Sequence, residues 1–200
     1  MGKLDGRKIA ILIADGFAPN ELSEPRRALC AQGAACHLIS LKSGTVRSWN
    51  DAEWGETVFV ERALMDVDPD DYDGLLLPGG LMSADALRGD AGAVEFVEAF
   101  AIAHKPIGAI GQGPWTLIET GMVNGRTLTS CASLESDLRN AGGDWVDEVV
   151  VVDDGLVTSQ SVRDLAAFGE RMIEALAEGA EARTARRTGR PSDRPQASLH

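Results

Sequence analysis

The segment that most constrains the fold of this chain is PIGAIGQGPW, residues 106–115. Its apolar run from Ile107 to Ile110 predicts a short buried strand, which ends abruptly at Gly111-Gln112-Gly113. Pro114 follows, and proline suits the first turn of a helix because the N–H group that it lacks would have no partner there. The segment therefore predicts a strand, a sharp turn and a helix in immediate succession.

Strands and helices are predicted to alternate along the rest of the chain as well. Predicted strands cover residues 8–14, 35–40, 74–77 and 107–110, and predicted helices cover 20–32, 91–104, 114–119, 133–141 and 163–176. Residues 149–159 are typical of a β-hairpin with its turn at 153–155, whereas 44–65 is predicted to be irregular apart from a short strand at 58–60. Ser133 is the expected N-cap of its helix. The alternation indicates an α/β fold, a doubly wound sandwich with sites at the carboxyl ends of its strands.

Three glycine-containing loops follow predicted strands and can converge at one edge of such a sheet. They are Asp15-Gly16-Phe17, Pro78-Gly79-Gly80 and Gly111-Gln112-Gly113, and Glu21 comes shortly after the first. One such loop alone indicates little, because glycines in these turns commonly serve only to allow positive φ and tight packing. Glu21 alone is typical of a first-turn carboxylate that the helix dipole favours. The convergence of all three loops, rather than any one of them, therefore indicates a candidate site.

Composition and charge narrow the class of protein. Hydrophobic residues make up 44% and charged residues 25% of the chain, which is ordinary for a soluble globular protein. No apolar run is long enough to span a bilayer, and the run that follows the basic N-terminus predicts a buried strand rather than a signal peptide. We therefore expect a cytoplasmic protein. The net charge of −12 argues against nucleic acid as a partner of the main body.

The two ends of the chain differ in composition. Residues 1–182 are expected to form a single domain, and residues 183–200, with five arginines and one aspartate, a basic disordered tail. Such a tail could touch RNA or acidic surfaces weakly. Three cysteines and three histidines are scattered along the chain. They lack the spacing of a disulfide framework or a zinc site, so no metal or cofactor is expected.

Several segments, in the right order, resemble one protein family. They are ILIADGF, NELSEP, DYDGLLLPGG, KPIGAIGQGPWTLIETGMVNGRTLTS, DLRNAGGDWVDEVVVVDDGLVTS and DLAAF. From about Lys8 to about Leu176 the chain resembles the PfpI branch of the class I glutamine amidotransferase-like superfamily. That branch contains intracellular proteases or amidases, stress-response proteins and relatives of the parkinsonism-associated deglycase. The resemblance implies a flavodoxin-like, three-layer sandwich with a mostly parallel sheet, and a homodimer or higher oligomer.

The resemblance also implies roles for the residues of the sharp turn. In the family, a strand, a turn and a helix form a nucleophile elbow. The family's catalytic cysteine falls on Gly111, and the histidine next to it falls on Gln112. The carboxylate that hydrogen-bonds the cysteine falls on Glu21. Gly111 provides no thiolate, and Gln112 cannot act as a general base near neutral pH.

Further family roles fall on the neighbouring loops. The glycines that donate backbone N–H groups to an oxyanion fall on Gly79 and Gly80. A second carboxylate, supplied across a dimer interface in some members, falls on Asp85. An aromatic or histidine residue that borders the pocket falls on Cys131. By this resemblance, the chain differs from the family at the reacting groups and keeps the residues of the family's scaffold.

Three functions are compatible with these residues. The first is a catalytically silent protein with a structural or a binding role, in which the retained backbone donors could bind a small carbonyl or carboxylate compound. The second is a hydrolase of amidase, protease, glyoxalase or deglycase type whose nucleophile has moved to Cys131. The third is a hydrolase of the same types in which Glu21, with a pKa raised by burial, activates water.

Overall fold

The computed structural model describes residues 2–50 and 52–188, and within them strands and helices alternate. The strands are β1 (Lys8–Leu12), β2 (Ala35–Ser40), β3 (Gly44–Asn50), β4 (Glu53–Val60), β5 (Arg62–Ala63), β6 (Gly74–Leu77), β7 (Ile107–Ile110), β8 (Thr127–Leu128), β9 (Asp144–Trp145), β10 (Val150–Asp153) and β11 (Leu156–Ser159). The helices are α1 (Pro19–Ala31), α2 (Leu81–Arg88), α3 (Ala91–Ile102), α4 (Pro114–Glu119), α5 (Glu135–Asn140) and α6 (Leu165–Thr188). Single 3-10 turns cover Leu64–Asp66, Pro69–Asp71, Ala132–Leu134 and Val162–Asp164.

The central sheet has the strand order β10-β11-β7-β6-β1-β2-β5. All of its neighbours are parallel except the β10–β11 pair, which is an antiparallel hairpin. Without the short edge strands β5 and β10, the order in chain sequence is 2-1-3-4-5, the flavodoxin-like order. The chain goes from β1 outward to β2 and later returns to β6 on the other side of β1. The crevice between β1 and β6 is therefore the switch point, where α/β sheets bind ligands.

Helices cover both faces of the sheet, which makes three layers. Alternate residues of β1 point to opposite faces, so Ile9 and Ile11 join one core while Ala10 and Leu12 join the other. The first core contains residues of α1 and α6, including the fully buried Phe168. The second contains residues of α2, α3, α4 and α5. The predicted flavodoxin-like sandwich is confirmed.

The buried parallel strands follow the sequence prediction closely, but the segment 44–65 does not. It was expected to be irregular, yet β3 and β4 form an antiparallel hairpin outside the central sheet. Trp49 and Trp54 face each other across it, edge to face, with ring centroids 5.4 Å apart. Most side chains of β4 are exposed or half-buried. The hairpin therefore lacks the apolar alternation by which a half-buried strand is recognised.

Two further predictions need correction. Ser133 was expected to cap a helix over 133–141, but it lies inside a 3-10 turn, and α5 begins only at Glu135 without a side-chain cap. Helix α2 was not predicted; it begins directly after the loop residue Gly80, and the sequence prediction assigned no element to residues 81–88. The last predicted helix, 163–176, begins at Leu165 and continues to Thr188. The remainder of the predicted tail, 189–200, lies outside the described residues.

None of the helices over residues 2–50 and 52–188 is both long and apolar enough to cross a membrane.

Candidate active site

Three loops at the carboxyl ends of β1, β6 and β7 contact one another at the switch point. The N–H group of Ala18, after β1, donates to the carbonyl oxygen of Gly79, after β6, at 2.9 Å. The carboxylate of Glu21, in the first turn of α1, accepts a hydrogen bond from the Gly79 N–H group at 2.7 Å. After β7, the carbonyl oxygen of Gly111 accepts from the N–H group of Cys131 at 3.0 Å. The structure therefore brings these four segments into one cluster.

Gly111 has the left-handed backbone of an elbow. Its φ is +56°, a conformation that residues with a side chain adopt only at a cost. Its N–H group donates to the carbonyl oxygen of Ser159 in β11 at 3.0 Å, which fixes the turn to the sheet. A Cβ atom added at Gly111 would lie 3.0 Å and 3.1 Å from the two carboxylate oxygens of Glu21. A side chain at this position would therefore begin directly beside that carboxylate.

Glu21 is almost completely buried in the cluster, with 6% of its surface exposed. Burial raises the pKa of its carboxyl group to about 7, and the hydrogen bond from Gly79 opposes the shift only in part. Near neutral pH the group therefore exists in both protonation states. It can donate a proton in one state and accept one in the other, which is what a general acid or base must do.

The two predicted oxyanion donors already have partners in the structure. The Gly79 N–H group donates to Glu21, and the Gly80 N–H group donates to the side-chain oxygen Oε1 of Gln112 at 3.2 Å. The backbone N–H group of Gln112 has no acceptor among the described residues. It follows the elbow position, where hydrolases of this arrangement place an oxyanion donor.

The loop after β6 has no room for larger residues. A Cβ atom at Gly79 would overlap the Glu21 carboxylate and approach the carbonyl oxygen of Ile110 to 2.9 Å. Gly80 has φ +104°, and a Cβ atom there would overlap the carbonyl oxygen of Gly16 and lie 2.6 Å from the nitrogen of Ala18. Both glycines are therefore needed for the backbone of this loop to reach its neighbours.

Cys131 borders the cluster but has the properties of an unreactive thiol. It is half-buried, and its Sγ lies 3.3 Å from the hydroxyl of Ser133. Burial is the main cause that raises its pKa, and the nearby charge of Glu21 raises it further, against the hydrogen bond to Ser133. A nucleophilic cysteine needs the opposite setting, one that stabilises the thiolate.

Asp85 lies apart from the cluster within this chain. It is exposed on α2 and its side chain has no hydrogen bond or ion pair with a described residue. Its expected role depends on a second copy of the chain, and it stays a prediction.

No contact was predicted from the sequence for two polar side chains that hold the loop after β1. The buried hydroxyl of Ser83, in α2, accepts a hydrogen bond from the N–H group of Ala14 at 2.8 Å. The carboxylate of Asp15 accepts from the N–H group of Arg47, in β3, at 2.8 Å. The sequence offered no signal for either contact, because α2 and β3 were themselves not predicted.

The described residues show no metal centre at the cluster, and one cavity lies elsewhere in the fold. Among the residues that the structure describes, no group of three or more His, Cys, Asp or Glu side chains is arranged to hold a metal ion. A cavity of about 160 Å³ lies at the opposite end of the sheet, beside Ile107 and Leu156. These residues begin β7 and β11, so the cavity is separated from the loops by the length of the strands.

Known proteins resemble this chain over most of its length. The profile of the DJ-1/PfpI family matches residues 7–175. The chain is 38% identical over 170 residues to the putative cysteine protease YraA of Bacillus subtilis, covering 85% of this chain and 98% of that protein. It is 37% identical over 172 residues to general stress protein 18 of the same organism, covering 86% and 98%. It is 35% identical over 169 residues to the deglycase TK1284 of Thermococcus kodakarensis, covering 84% and 99%.

Solved structures share the fold. DJ-1beta of Drosophila melanogaster aligns over 96% of this chain and 100% of its own, with a TM-score of 0.79 and 23% identity. A two-domain protein of Anabaena variabilis with DJ-1/ThiJ/PfpI-like and ferritin-like domains aligns over 96% of this chain and 52% of its own, with a TM-score of 0.81 and 25% identity. With the profile match over most of its length and these relatives, the chain belongs to the DJ-1/PfpI family.

Proposed function

We propose that this protein binds a small carbonyl or carboxylate compound at the loops around Gly80 and Gly111, without forming a covalent bond to it. One observation carries the proposal. Gly111 occupies the elbow with no side chain, and the space beside its Cα borders the buried carboxyl group of Glu21. Covalent catalysis at an elbow requires a nucleophile there. Backbone N–H groups bind an oxygen without one.

The setting of Cys131 supports the same proposal. A relocated nucleophile would need a thiol that ionises readily. Burial and the charge of Glu21 instead raise the pKa of Cys131. The thiol therefore remains protonated near neutral pH, and we propose no covalent step at this residue.

A second candidate function is hydrolysis or hydration with Glu21 as general base. Its pKa of about 7 is the specific observation in favour, because a general base works best when its pKa lies near the working pH. The carboxylate oxygens also face the position that a side chain at Gly111 would take. A water molecule there would lie within reach of the base.

One activity screen separates the two candidates. Wild type, Gly111→Cys, Gly111→Ala and Glu21→Gln would be compared on peptide amides, methylglyoxal and glycated amino acids. These substrates are chosen because relatives are named a cysteine protease and a deglycase. We expect no turnover by wild type or Gly111→Ala, and turnover by Gly111→Cys. The alanine variant controls for the mere addition of a side chain at φ +56°.

Each pattern of turnover favours or contradicts a particular candidate function. Turnover by wild type that Glu21→Gln abolishes would replace the binding proposal with the general-base candidate. Turnover that survives Glu21→Gln but is lost in Cys131→Ser would contradict both.

For the binding proposal itself, titration of wild type with acetamide, acetate and glyoxylate should shift the amide resonances of Gly80 and Gln112. If these resonances stay unchanged up to high millimolar concentrations of all three compounds, the proposed ligand class is wrong.

A further inference from the structure

The contact between Gly80 and Gln112 occupies a donor on which the proposed function depends. The two residues are 32 positions apart in sequence and lie on different loops, after β6 and after β7. The hydrogen bond joins a backbone N–H group to a side-chain carboxamide, and its donor–acceptor distance is 3.2 Å. Since an N–H group can only donate, the atom that it meets must be the amide oxygen Oε1. The Gly80 N–H group therefore already donates to the carbonyl oxygen of a carboxamide.

Gln112 can reach Gly80 because of where the elbow places it. It follows Gly111 directly, and Gly79 and the Gln112 backbone are close enough that a Cβ atom at Gly79 would lie 3.0 Å from the Gln112 nitrogen. The Gln112 side chain is half-buried, and its amide nitrogen makes no hydrogen bond with a described residue. Only one end of the carboxamide is thus held. A side chain held by a single neutral hydrogen bond can be displaced at modest cost.

We propose that the carboxamide of Gln112 is a built-in occupant of the Gly80 donor at the oxyanion position, and that the carbonyl group of a neutral amide ligand displaces it when it takes that donor. The inference rests on the proposed function and deepens it by naming the ligand class. The occupant itself is a neutral primary carboxamide, so the surroundings of the Gly80 donor already accept that group. An anionic carboxylate should bind more weakly. The buried Glu21 carboxyl group accepts the neighbouring Gly79 N–H group, and its negative charge would repel that of the ligand.

Two variants of Gln112 test the contact directly. Gln112→Met keeps the length of the side chain and removes its carbonyl, whereas Gln112→Glu keeps an acceptor. Hydrogen exchange of the Gly80 amide should be about three- to tenfold faster in Gln112→Met than in wild type, as expected for the loss of one neutral hydrogen bond. It should not be faster in Gln112→Glu. The Gly79 amide, which donates to Glu21, serves as the internal control and should change far less.

Affinity for acetamide tests the competition. Removing an internal competitor raises the fraction of binding-competent sites, so Gln112→Met should bind acetamide about three- to tenfold more tightly than wild type. Gln112→Glu should not bind it more tightly, and acetate should bind wild type more weakly than acetamide does at pH 8. Faster exchange at Gly80 together with tighter binding of acetamide by Gln112→Met would support the inference.

Each remaining result would contradict a different part of the inference. Unchanged exchange at Gly80 in Gln112→Met would show that the contact does not form in solution. Faster exchange with equal acetamide affinity in wild type and Gln112→Met would overturn the competition while leaving the proposed function standing. If neither protein binds acetamide, the inference fails. If acetate and glyoxylate also fail to bind, the proposed function fails with it.

Discussion

At the level of single residues, Gly111 shows how a left-handed turn is held by its backbone alone. A residue with a side chain at φ +56° carries a conformational cost of about 1–2 kcal/mol. Glycine removes that cost, yet the turn keeps its shape because the hydrogen bonds to Ser159 and Cys131 hold the backbone on either side. Gly113 adds a packing reason, since a Cβ atom there would lie 3.0 Å from the nitrogen of Ile110. The sharp turn after β7 is therefore held by backbone hydrogen bonds and close packing, and it needs no side chain at Gly111 to form.

Glu21 gives a prediction about stability and pH. Its folded-state pKa is about 7, whereas an exposed glutamate in the unfolded chain has a pKa near ~4.3. Between these values the folded state binds more protons than the unfolded state, so the contribution of Glu21 to the free energy of unfolding falls as the pH rises towards 7. From pH 5 to pH 8.5 the loss should be roughly 2–3 kcal/mol. Glu21→Gln should abolish it.

Urea unfolding at pH 5 and pH 8.5 measures this effect as the difference between wild type and variant. Glu21→Gln should gain stability relative to wild type on going to the higher pH. Glu24→Gln, which removes an exposed carboxylate from the same helix, controls for the loss of one negative charge. A wild-type-to-variant difference that is the same at both pH values would mean that the pKa of Glu21 is not raised by folding.

At the level of elements, the site depends on how closely the loop after β6 approaches the loop after β1. Gly80 and Gly44 have nearly equal φ values of +104° and +105°, but only Gly80 is surrounded by backbone. Gly44→Ala should lower the free energy of unfolding by about 1–2 kcal/mol, the cost of positive φ alone. Gly80→Ala should lower it by roughly 1–3 kcal/mol more, because the added Cβ atom forces the two loops apart.

The same pair of variants can be compared by chemical denaturation, with amide spectra as a second readout. Gly80→Ala should move the resonances of the loops after β1 and β7, whereas Gly44→Ala should affect only the β3–β4 hairpin. Equal losses of stability in the two variants would show that the loops can separate without cost. The close approach would then not be what holds the site together.

The central strands were predictable from sequence for a clear physical reason. β6 and β7 are buried at every position, so their residues form continuous apolar runs bounded by glycine and proline. Their order and their loops then place Gly79 and Gly111 at one edge of the sheet. The hairpin β3–β4 could not be recognised in this way, because it lies outside the central sheet and exposes most of β4.

The partners of the backbone donors could not be predicted from sequence. Which oxygen meets the N–H group of Gly80 depends on the side-chain rotamer of Gln112 and on the distance between two loops, and no local pattern encodes either. Burial of Glu21 is a similar case. The sequence placed it in the first turn of α1, where most carboxylates are solvated, and only the packing of three loops around it excludes water.

The family resemblance implies a homodimer or higher oligomer, and for the whole molecule we propose the homodimer. Large apolar side chains lie exposed beside the site and on the hairpin, among them Leu81, Trp54 and Phe59. Light scattering at dilute concentration should give a mass of about twice the 21.2 kDa of one chain. Trp54→Ala should weaken association if the hairpin forms the contact. A mass of one chain for wild type would contradict the dimer.

The glycine at the elbow also changes how the molecule responds to oxidants. A thiolate at that position would be the first group to form sulfenic acid, whereas the carboxyl, carboxamide and backbone groups around Gly111 cannot be oxidised under the same conditions. Of the three cysteines, Cys36 is buried, burial raises the pKa of both Cys36 and Cys131, and Cys30 is exposed on α1. Of the three cysteines, peroxide would therefore reach Cys30 first, at the far end of α1 from Glu21, and the carboxyl, carboxamide and backbone groups of the site that we propose would stay unchanged.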